Sequence, residues 1–267
     1  MASHRRQWMN HQIKQRAYYG LIRKPVDQDS VPKSNGDEAI QIESLWVHSP
    51  FVGGQNGAPP PKGEDRIKLD NRGFSCHSDL HSDLCVVNKP VKVDKNVSTV
   101  YIISYSNQSQ VERLIKPYAF QDDQDAMERV SPIRILNEEE DSSTNSSMAP
   151  CRFTHEVPAV VFSSGVFTGN QFHEIDEIII PLFITTRHFR SRLKFVITDF
   201  KPWRVSKYRK ILERLSHYEV INPAVNGSVH CFPGAVVGLK YHDYLAFNMT
   251  NIPGGYSTFD FRNFLRQ

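Results

Sequence analysis

The chain has 267 residues, of which 39% are hydrophobic and 23% charged, and its formal net charge is +3. This composition is typical of a globular protein that buries a core. The basic residues are spread along the sequence, which argues against the dense basic stripe of a nucleic-acid-binding protein. No apolar run reaches the roughly 18 residues of a membrane-spanning helix, and no apolar segment follows the basic N-terminus as in a signal peptide.

The first 75 residues differ in composition from the rest. They give little periodic signal, and Val31–Lys68 is rich in Pro, Gly, Asp and Ser. Such a segment cannot bury enough apolar surface to offset the entropy lost on ordering. We therefore predict a disordered stem or linker over residues 1–75 and one folded domain over residues 76–267.

The four cysteines are Cys76, Cys85, Cys151 and Cys231. None belongs to a C-x-x-C pair, so a zinc site has little support. We expect disulfides instead: Cys76 and Cys85 are close enough to clip a local loop, and the other two would then join a strand edge to a later loop. The alternative is four free thiols that pack as small hydrophobic groups.

Five N-glycosylation sequons are present where about two are expected by chance. Their asparagines are Asn96, Asn107, Asn145, Asn226 and Asn248. Because sequons are used only in the lumen of the secretory pathway, they favour, together with the cysteines, a luminal protein. The alternative is a cytosolic protein in which the sequons are coincidental.

The first part of the predicted domain contains short runs of β-branched and aromatic residues, which are typical of strands. These runs are Val86–Val87, Ser98–Ser104, Leu114–Phe120 and Ile133–Leu136. The acidic, Ser-rich segment Asn137–Ser147 is predicted to be an exposed loop.

From Cys151 onward, strand and helix patterns alternate. The predicted strands are Val157–Phe162, Leu193–Thr198, Glu219–Ile221 and Val236–Leu239, and the helices are about Asn170–His188, kinked at Pro181, and Trp203–Tyr218. Val157–Phe162 is apolar throughout, as in a parallel strand covered on both faces. The order predicts a doubly wound α/β unit whose binding edge holds Ser163–His173, Asp199–Trp203 and Asn222–His230.

The densest polar cluster lies at the start of the first of these helices. His173 and Glu177 are four residues apart and share one helical face, opposite the apolar stripe. We predict that they form a general base that deprotonates a hydroxyl group, with Asn170, Glu174 and Asp176 binding the hydroxyl-bearing acceptor. The alternative is structural, with Asn170 capping the helix and the acids favouring its positive end.

Other kinds of site are less well supported. A metal is not expected, because His173 with Glu177, or His242 with Asp243, lacks an evident third ligand. The spacing of Gly165 and Gly169 matches neither a Walker A loop nor a dinucleotide-binding turn. The absence of a G-x-S-x-G elbow disfavours an α/β-hydrolase.

Several of these runs occur together in a recognisable order. They are Val157–Gly165, Thr168–Asn170, Phe172–Glu174 and Ile180–Thr185, accompanied by Ile115–Tyr118, Pro150–Cys151, His230–Pro233 and Val237–His242. Together they resemble the start of the catalytic region of the plant Golgi glycosyltransferases of family 61. The resemblance runs from about Cys76 to the C-terminus.

The resemblance implies a GT-B fold, in which two Rossmann-like domains face each other across a cleft. It implies an inverting transferase with one general base and no metal or other cofactor, which moves a pentose from a UDP-sugar to a xylan-type polysaccharide. Family members are type II membrane proteins of the Golgi. By this resemblance the chain is the acceptor-side half, with the donor-binding domain outside its 267 residues, and nucleic acid is not an expected partner.

One departure from the family pattern falls within the predicted site. The family usually has Phe-Asn-Asp after the His-Glu pair, and this chain has Ile175-Asp176-Glu177. The last acid is retained but is one methylene longer, and a misplacement of about 1 Å is enough to cost about a hundredfold in rate. The alternative function is a noncatalytic module that binds an acceptor or a partner. Binding of UDP to the purified chain separates the two.

Overall fold

The computed structural model describes residues 69, 71–79, 81–94, 98–104, 112–139, 149–165, 170–222, 225, 227–242 and 256–266. Most of the predicted stem and all five sequon asparagines lie outside these residues. In the described part the protein is a mixed α/β structure whose first strand starts at Phe74. None of the helices described there has the length and apolarity needed to cross a bilayer.

The described strands form two mixed sheets. In chain order they are β1 (Phe74–Ser78), β2 (Asp83–Val87), β3 (Val91–Val93), β4 (Thr99–Ser104), β5 (Glu112–Ile115), β6 (Ile133–Glu139), β7 (Phe153–Thr154), β8 (Ala159–Ser163), β9 (Lys194–Thr198), β10 (His230–Phe232) and β11 (Ala235–Val237). The first sheet has the order β1-β2-β11-β8-β9, and the second has the order β5-β6-β4-β3-β10-β7.

Most of the described helices lie in the second half of the chain. They are α1 (Gln124–Arg129), α2 (Gln171–Glu174), α3 (Ile180–Thr186), α4 (Pro202–Lys207), α5 (Arg209–Leu215) and α6 (Thr258–Arg266). A π turn (Ile175–Ile179) joins α2 to α3, and a 3₁₀ turn (Arg187–Phe189) ends this helical run. The π turn ends two residues before Pro181, whose missing N–H leaves the carbonyl four residues back without that donor, and the predicted kink itself stays a prediction.

The apolar pattern of β8 follows from its place in the middle of three layers. Val160 and Phe162 pack with the helices in one hydrophobic cluster, whereas Ala159 and Val161 pack in a second cluster with residues of the other sheet. Both faces are therefore covered, as the sequence predicts. The cover differs from the predicted doubly wound arrangement, because a second sheet occupies the face where further helices were expected.

The parallel strands have a change of direction at β8. The chain runs from β8 through α2 and α3 to β9, which pairs parallel to β8, and then through α4 and α5 to Ile221, which forms a single parallel bridge with Val196. It later returns to the opposite side of β8, where β11 also pairs in parallel. Open α/β sheets bind ligands at the carboxyl ends of strands where the order reverses in this way.

Two differences from the predicted elements matter for the site. The predicted strand Leu114–Phe120 ends at Ile115, so residues 116–123 form a loop instead. The first residues of the predicted loop Asn137–Ser147 continue β6 to Glu139. Residues 140–148 lie outside the described residues.

Two disulfides connect the elements. Cys76 bonds to Cys85, its partner in the antiparallel register of β1 and β2. Cys151, just before β7, bonds to Cys231 in β10 across 80 residues of sequence. No free cysteine remains in the protein.

Candidate functional site

A group of polar side chains gathers beyond the carboxyl ends of β8 and β11. Helix α2 and the π turn follow β8 and contribute His173 and Glu177. The loop after β5 contributes Tyr118, and the segment after β11 contributes Tyr241 and His242. This is the edge at which a parallel α/β sheet places its functional residues.

His173 and Glu177 are in direct contact within this group. Nδ1 of His173 lies 2.5 Å from Oε1 of Glu177, which matches the predicted i, i+4 pairing. The side chain of His173 is 13% exposed and that of Glu177 only 3%. The imidazole therefore reaches solvent, whereas the carboxylate lies behind it.

Burial of Glu177 differs from its predicted position opposite the apolar stripe. Helix α3 is buried on all sides, because α6 covers its outer face through ring contacts of Phe261 and Phe264 with Phe183. The loop after β5 covers the π turn in the same way, since the Tyr118 hydroxyl donates to Oε2 of Glu177. A periodicity analysis of one helix does not include such neighbours.

The pKa values of this pair move in the same direction for different reasons. Burial raises the pKa of Glu177, although hydrogen bonds from His173 and Tyr118 oppose that rise. Burial on its own lowers the pKa of His173, but the hydrogen bond to Glu177 and the charges of Glu177, Asp123 and Asp176 outweigh it, so the pKa lies above its ordinary value. The carboxylate thus makes the imidazole a stronger base.

Asp123 adds a third polar group beside His173 and Glu177 that the sequence did not suggest. One ligand atom each from Asp123, His173 and Glu177 lies within 4.8 Å of the others, a spacing compatible with a metal ion. Each group already has a protein partner. Asp123 Oδ1 accepts the backbone N–H of Ala126 at 2.9 Å and caps α1, and both oxygens of Glu177 are engaged. Asp123 is the third ligand that the sequence did not make evident, and the expectation of no metal stays a prediction.

Asn170 and Glu174 occupy structural positions. Asn170 caps α2 by accepting the N–H of Phe172 at 3.1 Å, as in the structural alternative. Glu174 is buried, pairs with Lys207, and accepts the hydroxyl of Tyr208 at 2.5 Å. Its carboxylate lies among cationic and phenolic groups inside the protein. An acceptor-binding role for these two residues stays a prediction.

Asp176 is also buried, on the side of β11. Its Oδ2 accepts the hydroxyl of Tyr241 at 2.8 Å, and its Oδ1 lies 3.2 Å from Nε2 of His242. His242 was considered above only as a metal ligand. In the structure it contacts the carboxylate of Asp176 in the π turn. The position of Asp176 holds the segment after β11 against the helix, and its predicted acceptor-binding role also remains untested.

The other predicted edge segments divide between the two ends of the sheet. Asp199, directly after β9, accepts the Ser163 hydroxyl at 2.7 Å and so joins the ends of β8 and β9 at the predicted edge. His230 does not lie there. It belongs to β10 in the second sheet, beside His155, which precedes β8.

Comparison with known proteins gives a consistent result, although no family model matches the chain. It is 34% identical over 213 residues to beta-1,2-xylosyltransferase XAX1 of Oryza sativa subsp. japonica, which covers 76% of the chain and 36% of that protein. It is 31% identical over 209 residues to alpha-1,3-arabinosyltransferase XAT3 of the same species, covering 77% and 34%.

A third relative comes from another plant. The chain is 30% identical over 206 residues to xylan glycosyltransferase MUCI21 of Arabidopsis thaliana, covering 76% of the chain and 40% of that protein. The chain therefore spans between 34% and 40% of the length of these three relatives. All three names describe glycosyltransferases.

Proposed function

The chain belongs to the plant family 61 glycosyltransferases that its sequence resembles, and from that premise we propose that it supplies the acceptor-activating part of an inverting xylan glycosyltransferase. In this proposal a pentose passes from a UDP-sugar to a hydroxyl of a xylan-type polysaccharide in the Golgi lumen. Residues 76–267 form the Rossmann-like acceptor-side domain of a GT-B fold, and residues 1–75 form a stem. The name of one relative, xylan glycosyltransferase, supports transfer to xylan, and the names of the other two, a xylosyltransferase and an arabinosyltransferase, support transfer of a pentose.

The observation that carries the proposal is the hydrogen bond between His173 and Glu177 at the carboxyl edge of β8. An inverting transfer needs one base to take the proton of the attacking hydroxyl. A carboxylate accepts from Nδ1, so the neutral imidazole presents Nε2 as its basic atom. Glu177 then stabilises the imidazolium that forms, much as an acid behind a histidine does in hydrolytic triads.

The proton and the bonds follow a simple balance. Nε2 of His173 takes the proton of the acceptor hydroxyl while its oxygen forms the new glycosidic bond. The bond from the sugar to the nucleoside diphosphate breaks, and its electron pair leaves with the diphosphate. Attack on the face opposite the leaving group inverts the configuration at the transferred sugar.

The test is transfer from UDP-xylose or UDP-arabinose to xylo-oligosaccharides by the protein that carries this chain, as wild type and as His173→Gln. We expect the variant to lose transfer by about 100- to 10,000-fold, the usual contribution of a general base. The control is His155→Gln, a histidine beyond the other end of β8. Equal turnover of the two variants would contradict the assignment of the base.

A further inference from the structure

Tyr118 reaches the candidate base from a distant part of the chain. Its hydroxyl donates to Oε2 of Glu177, a contact between residues 59 positions apart in sequence. The side chain is buried, with only 1% of the residue exposed. Burial, followed by the charge of Glu177, raises the pKa of Tyr118 well above its ordinary value, so the hydroxyl keeps its proton and acts as a donor.

Gly165 leaves the room that the Tyr118 ring occupies. A Cβ at position 165 would lie 2.5 Å from Cε2 of Tyr118, and the backbone there has a φ of +71°. Both the close approach and the left-handed backbone favour glycine. The end of β8 is therefore shaped to let a phenol ring pass toward the π turn.

The backbone on both sides of Tyr118 is fixed by hydrogen bonds. The N–H of Ser163 at the end of β8 donates to the carbonyl of Pro117 at 2.7 Å. The Gln121 side chain donates to the carbonyl of Tyr118 at 2.6 Å. The hydroxyl is thus held by a rigid frame, which is a condition for orienting another group.

We propose that Tyr118 is a positioning residue that holds Glu177 as a carboxylate facing Nδ1 of His173 and so keeps Nε2 as the basic atom of the imidazole. The inference rests on the proposed function, because it concerns the same base. The two oxygens of Glu177 have separate tasks: Oε2 accepts from the phenol, and Oε1 accepts from the imidazole. Without the phenol, Oε2 would be a buried oxygen with no donor, a state that favours protonation of the acid.

The expected change with pH has a definite sign. The active form has an ionised Glu177 and a neutral His173. Tyr118→Phe destabilises every form in which Glu177 is ionised, but not the form in which the proton resides on Glu177. The pair of His173 and Glu177 therefore keeps its last proton to a higher pH in the variant. We expect the rising part of the rate–pH profile to move upward by about 1 pH unit, which is a tenfold loss of rate at a pH below the midpoint of that rise.

The first experiment reads the protons of His173 without any substrate. Nitrogen-15 NMR of the chain labelled in its histidines distinguishes Nδ1–H from Nε2–H imidazoles. Wild type at a pH where His173 is neutral should show the Nδ1–H form, and Tyr118→Phe should show a mixture. The proposal fails if wild-type His173 carries its proton on Nε2, a result that requires no variant to fold.

A matched control is available at Glu174, the last residue of α2. Tyr208 donates to Oε2 of Glu174 at 2.5 Å, so Tyr208→Phe also removes a phenol from a buried carboxylate. It should leave the tautomer of His173 unchanged, and an equal change in both variants would overturn the proposal. The NMR experiment measures the tautomer of His173 without any transfer reaction. If the proposed function is wrong but the positioning role is right, the chain will show the expected tautomer and still fail to transfer a sugar.

Discussion

Two hydrogen-bonded histidines lie beyond opposite ends of β8, and their neighbours move their pKa values in opposite directions. His173, after the strand, has a carboxylate as its partner and a raised pKa. His155, before the strand, has His230 as its partner at 3.0 Å and Lys194 at 3.5 Å. Burial, the charge of Lys194 and His230 lower the pKa of His155 to about 4.

The comparison teaches that burial alone does not decide what a histidine does. Burial lowers the pKa in both places, and the sign of the nearest charge determines whether this is reversed. Near neutral pH His155 is uncharged and weakly basic, and its ring stacks on Phe232 at 4.5 Å. His173 is a stronger base beside an acid, and this difference supports placing the proposed chemistry at the carboxyl end of β8.

The largest expected effect comes from making the two histidines alike. Glu177→Gln removes the charge that raises the pKa of His173, so that pKa should fall while the side chain keeps its size. Transfer should drop by about 100- to 10,000-fold, equivalent to about 3 to 5 kcal/mol of barrier. NMR titration and the transfer assay measure the two changes.

The control for that variant is Glu213→Gln, which removes an exposed acid on α5. It should leave the pKa of His173 and the transfer rate unchanged. An unaltered rate in Glu177→Gln would remove Glu177 from the mechanism.

The next effect concerns the His155 end, which a disulfide fixes. Cys151–Cys231 spans 80 residues and places β10, with His230, beside β7. Replacing both cysteines by serine should lower the free energy of unfolding by about 4 kcal/mol, because a long loop is released in the unfolded chain. Cys76–Cys85 spans only 9 residues, and its loss should cost about 2 to 3 kcal/mol.

Chemical denaturation of the two double serine variants measures both losses. The transfer assay adds a second comparison, since the His155 end is expected to be structural only. Equal losses of stability in the two variants would argue against the loop-length explanation.

A third histidine extends the comparison to a ring whose pKa is lowered by burial. Both ring nitrogens of His188 are shielded from water, and burial lowers its pKa to about 3. The unfolded chain binds this proton below about pH 6.5, so stability is lost as the pH falls from there toward about 3.

His188→Leu should remove that part of the acid sensitivity. The slope of unfolding free energy against pH between about 6 and 4 should decrease by up to about 1.4 kcal/mol per pH unit. Denaturation curves at a series of pH values measure the slope. A slope that remains as steep in the variant would assign the acid sensitivity to other groups.

The smallest effect is expected for Lys194→Met. Removing this charge should raise the pKa of His155 from about 4, but only in part, since burial is the larger cause. Because the remaining burial keeps the pKa below its ordinary value, His155 should still differ from His173. An NMR titration that places both histidines at the same midpoint in this variant would show that burial matters less than inferred.

The strands and helices around the site were predictable from local pattern. The apolar run Val157–Phe162 predicted a strand buried on both faces, and the spacing of Ile178, Ile179 and Leu182 predicted the buried helix after it. The i, i+4 spacing also predicted the contact between His173 and Glu177. These features depend on residues close in sequence, which is why periodicity detects them.

The rest of the site depends on contacts between distant segments. Tyr118 was assigned to a strand, because Leu114–Phe120 is apolar and aromatic, yet the chain leaves β5 after Ile115 and turns toward the π turn. No local pattern reports a partner 59 residues away. The one available signal was that Ile115–Tyr118 is among the runs that carry the family resemblance.

The second sheet was missed for a related reason. Strands such as β3, β7 and β10 have two or three residues each, too few for an alternating pattern to stand out. Their pairing joins segments far apart in sequence, as in the parallel pairing of β7 with β10. The sequence therefore predicted correctly that helices pack on one face of β8. It was wrong about the other face, where a second sheet packs in place of the expected helices.

The most direct measurement is an NMR titration of the histidine ring protons in the wild-type chain. One series of spectra reports His173 and His155 under identical conditions. The account predicts a midpoint for His173 above its ordinary value and a midpoint for His155 near 4. A midpoint for His173 at or below that of His155 would contradict it, because Glu177 would then not act on the imidazole as a charged partner.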